Sequence, residues 1–182
     1  MAASVSSAAR AAGLDTEAID LVSHAHALAM APRLRALDDD HHPAYLHPGR
    51  SVLVLLRDVG PLPAEVLAVT AVHETVDEEL RVGHDVVRSE LGDAVADMLE
   101  SLPLPGAEGL AERLVTLEEG ARFAALAERL DQLRHVHLRP DLDGRALHGE
   151  AGATWLPVAE RTHARLADRY RHWHRAFARR LS

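Results

Sequence analysis

The 182-residue chain has no cysteine and no lysine. Without cysteine there is neither a disulfide framework nor a thiolate metal site, so a bound metal would need imidazole and carboxylate ligands. All 20 basic residues are arginine, a coding bias that removes functional weight from arginine as such. Long apolar runs are also missing: the start MAASVSSAARAAG has none, and no window approaches the roughly 20 residues of a membrane span. A soluble, cytoplasmic protein with no membrane partner is the expectation. Nor does any useful stretch alternate apolar and polar residues with period two, the usual mark of a half-buried strand.

The length suits one domain with a core that needs no staples. The net charge of −8 is unevenly spread, because residues 161–182 carry seven arginines against the single acid Asp168. The body is therefore strongly acidic and a poor partner for duplex DNA. Thirteen histidines is a high count, and most belong on the surface. His24, His26, His41 and His42 read as loop or surface residues, while His135 and His137 are candidates for a pocket wall.

Periodicity predicts helices throughout. Residues 15–31 form one, capped by Asp15 or Thr16, and Pro32 with the run 38–43 marks a loop. Residues 48–58 read as a short apolar helix closed by Gly60-Pro61; their VLVLL core could pass for a strand, but no partner strands appear. Pro63 opens a helix over 63–75. Two helices flank Gly92, over 83–91 and 92–101, and LPLPGAEG (102–109) is a linker. Residues 110–119 and 121–136 are helical, with Gly120 as a possible break. Trp155, Val158, Thr162, Leu166, Tyr170, Trp173, Phe177 and Leu181 recur every three or four residues, giving a last amphipathic helix over 155–181. Its arginine face is a solvated surface or a homo-oligomer contact. The class is all-α, a single helical bundle spanning 1–182.

The chemistry concentrates in AVTAVHETVDEEL, residues 68–80, where His73-Glu74 precede a second acidic pair, Asp77-Glu78. Taken alone, this is equally an acidic helix end or part of a divalent metal site. Two other stretches could join it: His47 in PAYLHP and Glu128 in LAERLDQLR. None of these residues shows the tight spacing of a zinc finger or an H-E-x-x-H helix.

Five segments in order, PAYLHP, AVHETVDEE, SELGDAVADMLE, LAERLDQLRHV and TWLPVAER, resemble the HD-domain hydrolase module of RelA/SpoT-type alarmone enzymes, over about residues 24–165. The resemblance implies an HD-domain-like bundle and a small stand-alone hydrolase that removes pyrophosphate from guanosine 3′,5′-bis(diphosphate), ppGpp. Its implied metal ligands are His47, His73, Glu74 and Glu128, holding a divalent ion such as manganese. Asp77 and Glu78 take the catalytic place of the family's acidic pair. Arg129, Gln132 and Arg134 face the nucleotide, and Arg33 or Arg35 meets the guanine.

The departures share a pattern. Aspartate becomes glutamate at 74 and 128, asparagine becomes glutamine at 132, and the family's lysine is Ala125. Each acid or amide keeps its group but moves it by one methylene, roughly 1.3–1.5 Å, where ligand distances tolerate only about ±0.2 Å. Two alternatives therefore stay open beside alarmone hydrolysis: a catalytically weak relative that binds a nucleotide, and a hydrolase for another nucleotide.

Overall fold

Small residues begin the fold. Helix α1 (Ala2–Ala11) buries Val5 and Ala9 against the two helices that follow it, although its alanine- and serine-rich sequence carries no apolar stripe to announce it. The structure, a computed structural model, describes residues 1–37 and 42–181. Most of the loop expected at 38–43, including His41, lies outside the described residues.

Asp15 starts α2 (Thr16–Ala36) by accepting the Ala18 amide at 2.8 Å, the N-cap role expected of it. The helix does not stop at Pro32; it runs through the proline to Ala36, so Arg33 is a helical residue. VLVLL is helical within α3 (His47–Asp58), with a proline in its first turn and nearly every residue buried. Helix α4 (Ala64–Val72) is apolar all round and packs against α2 and α3, as a helix without a polar face must.

Helices α5 (His84–Leu91) and α6 (Asp93–Ser101) pivot on Gly92. Its φ of +88° is open to glycine and strained for other residues. After the linker come α7 (Leu110–Thr116) and α8 (Glu119–His135). Gly120 is not a break. It lies in the first turn of α8, where an added Cβ would stand 2.7 Å from Val66 Cγ2 of α4. Alanines 121, 124, 125 and 127 bring α8 close to its neighbours, and it packs on α3 and α4.

The expected helix over 155–181 is three elements. A π-helical turn, Ala151–Trp155, leads into α10 (Leu156–Thr162), and His163 then turns extended, with φ −158° and ψ 127°. Helix α11 (Ala164–Leu181) follows, and α9 (Gly144–Glu150), capped by Asp143, precedes them. Tyr170 ties α11 to α8 by donating to the Leu126 carbonyl at 2.7 Å, and Arg169 ties it to α3 through Asp58. One continuous apolar core runs from Val5 to Phe177. The fold is all-α, with no strand among the described residues, and no described helix is long and apolar enough to cross a membrane.

Candidate metal centre

Three helices and one turn converge on a buried polar cluster. His47 opens α3, Glu128 sits mid-way along α8, and His73-Glu74 follow the last residue of α4. His73 is the C-cap of α4, in extended conformation, so the helix expected to reach residue 75 ends at Val72. Glu74 folds the chain there instead: its Oε1 accepts the amides of Val76 at 2.9 Å and Asp77 at 3.1 Å. A short 3-10 turn, Glu78–Leu80, ends the segment.

All four expected ligands are buried: His47 is 3% exposed, His73 and Glu74 5%, and Glu128 1%. Three of them hold a buried polar atom without a hydrogen-bond partner: His47 Nε2, His73 Nδ1 and Glu128 Oε2. Glu128 Oε1, by contrast, accepts from Thr75 Oγ1 at 2.7 Å and from the Gln132 amide. His47 Nε2 lies 3.7 Å from Glu128 Oε1, a charge contact too long for a hydrogen bond. Both carboxylate oxygens of Glu74 are engaged, Oε1 by the turn and Oε2 by the Arg33 guanidinium. Among the described residues no group of three or more histidine, aspartate or glutamate side chains is arranged so that it could hold a metal ion as the side chains stand.

Two residues absent from the sequence-derived set organise the cluster. Asp131 is 1% exposed and accepts from His47 Nδ1 at 2.8 Å and from Arg50 at 2.9 Å. Burial would raise its carboxyl, but His47 and Arg50 hold it at about 2. Burial pulls the His47 imidazole down, yet Asp131 and Glu128 outweigh burial and push it up to about 10. His73 has no such partner, and burial lowers it despite nearby Glu128 and Glu74. Burial would raise Glu128 too, but the two histidines keep it below the ordinary glutamate value. Arg139 is the second unanticipated residue, gripping Asp77 through two contacts of 2.9 Å.

The expected substrate residues divide. Gln132 lines the small pocket over the cluster, beside Asp77, His135 and Arg139. Arg33 is 1% exposed and donates to the carbonyls of Ala29, Ala44 and Leu80 as well as to Glu74. It is an interior strut, which corrects its assignment to the guanine. Arg129 is also buried, paired with Glu150 at 2.8 Å and set over the Trp155 ring; it too is occupied within the protein. Arg35, Arg134 and Glu78 are exposed. His26, expected on the surface, is buried, with its Nε2 unpartnered.

The pocket has a volume of about 30 Å³. That is room for about two water molecules. No protein-family model matches the chain, and no curated protein matches it.

Proposed function

We propose that the chain is a metal-dependent phosphohydrolase of the HD type, acting on a nucleoside that carries a diphosphate group. One observation carries this reading. His47, His73 and Glu128, which come from three separate sequence motifs, each keep a buried polar atom without a partner, and the three lie near enough to act on one another electrostatically. A buried polar group without a partner costs about 1–3 kcal/mol, and three together call for a ligand. Two imidazole nitrogens and one carboxylate oxygen suit manganese, iron or zinc.

His47, His73 and Glu128 would hold such an ion. When bound, it would supply a lowered water pKa and polarisation of a phosphoryl oxygen. Asp131 fixes the His47 ring by its Nδ1 contact and leaves Nε2 facing the cluster, the support that a metal-binding histidine needs. Thr75 and Gln132 hold one oxygen of Glu128 and leave the other free. Asp77 lines the pocket and is locked in place by Arg139. It is the carboxylate placed to orient a water by accepting its hydrogen bond. Guanosine with a 3′-pyrophosphate is the substrate that the motif order suggests.

Purified protein supplied with manganese should release pyrophosphate from ppGpp, and His73→Ala should abolish the release. An unchanged rate in that variant would sink the assignment. A second reading, a nucleotide-binding relative without turnover, is favoured by the full commitment of Glu74 to Arg33 and its own turn. Calorimetry would then show nucleotide binding with no product under any divalent ion. Glu74→Asp combined with Glu128→Asp should create activity in that case.

A further inference from the structure

The small pocket does not end at its own walls. Arg50, Asp131 and His135 line it and also line a groove of about 220 Å³ between α3 and α8. That groove in turn shares Arg57, Asp58 and Arg169 with a wider one of about 530 Å³ along α11. The small pocket and the two grooves thus lie side by side from the polar cluster to the C-terminal helix, sharing these residues as common walls.

Their charge is opposite to that of the protein. Against a net charge of −8 for the chain, the walls gather arginines from three helices. Two of them are tied in place: Arg50 holds Asp131, and Arg169 holds Asp58 at 2.8 Å. Three others, Arg57 on α3, Arg134 on α8 and Arg165 on α11, are exposed and have no ion-pair partner among the described residues. Arginines that line one groove from separate elements, beside Asp58 and Asp168, offer guanidinium donors in the geometry that phosphate oxygens accept from.

We propose that this groove holds a diphosphate group of the ligand, remote from the one at the polar cluster, with Arg57 and Arg165 as its specificity-determining contacts. The identity of the ligand rests on the phosphohydrolase reading, whereas the anion groove itself does not. A doubly phosphorylated nucleoside would place one phosphate group at the small pocket and lay the other along the arginines of α3 and α11. The same chain would discriminate against nucleosides phosphorylated at one end only.

The test is calorimetric titration of inorganic pyrophosphate into the full chain with chelator present, at two salt concentrations. The expected result is one saturable site, weakened by salt as a charged surface contact must be. Arg57→Ala with Arg165→Ala should weaken it about tenfold, while the exposed pair Arg10→Ala with Arg113→Ala leaves it unchanged. Circular dichroism should be the same for all forms. Equal affinity in the groove variant and the native chain, or equal weakening by the remote pair, would overturn the groove. Arginine-dependent pyrophosphate binding without turnover of any nucleotide would leave the groove standing and remove the hydrolase. Turnover with KM unchanged in the groove variant would do the reverse.

Discussion

Replacing Arg33 by methionine distinguishes an interior strut from a substrate contact. The side chain is 1% exposed and its ion-pair partner Glu74 is 5% exposed. Removing one member of such a pair leaves a buried, uncompensated charge, which costs about 3–5 kcal/mol. The Ala44 and Leu80 carbonyls also lose a donor, adding on the order of 1 kcal/mol. A loss of about 4–6 kcal/mol is a large share of the roughly 5–15 kcal/mol that stabilises a domain. In urea, with a slope of about 2 kcal/mol/M, the midpoint should fall by about 2–3 M with the slope unchanged. Adding Glu74→Gln removes the stranded charge while keeping an oxygen for the Val76 and Asp77 amides, so the double variant should recover about 2 kcal/mol. Arg35→Ala, an exposed neighbour, should change stability by less than about 0.5 kcal/mol. A loss below about 1 kcal/mol for Arg33→Met, or two losses that simply add, would refute the strut.

Asp131→Asn should weaken metal retention by about 10–100-fold, the usual effect of losing the group that orients a histidine ligand; competition with a chromogenic chelator reads this directly. His26→Gln should alter the acid limb of stability. Burial, the N-terminal ammonium and Arg33 all lower its folded pKa, so the unfolded chain takes up a proton first as pH falls below about 6.5. The native protein therefore loses stability from that point downward, and the variant should lose less over the same range in urea titrations. Gly149→Ala, in α9 with nothing within 4 Å of the added Cβ, should gain about 0.5–1 kcal/mol. Gly120→Ala meets the stiff Val66 side chain and should lose about 1–3 kcal/mol, both measurable by thermal melts.

The helical class was readable because α8 and α11 repeat their apolar residues at the helical period. What escaped depended on contacts across the fold. Nothing local marks α1, whose only fully buried residues are the small Val5 and Ala9. The break at His163 interrupts an apolar stripe that continues on both sides of it, so periodicity runs straight through. His47, His73 and Glu128 were recognisable from their motifs, but Asp131 was not. Its partners His47 and Arg50 are more than 80 residues away, and its place on α8 reads as any polar position. The His-Glu pair was visible, whereas the role of Glu74 as Arg33's partner and as the brace of a turn follows only from the approach of α2 to that turn.

The central claim, that His47, His73 and Glu128 hold a divalent cation, is tested most directly by elemental analysis of the purified chain after gel filtration. About one equivalent of manganese, iron or zinc is expected, lost in His47→Ala and His73→Ala while both variants retain helical circular dichroism. No metal after incubation with any of these ions, or equal metal content in the native chain and both variants, would contradict it.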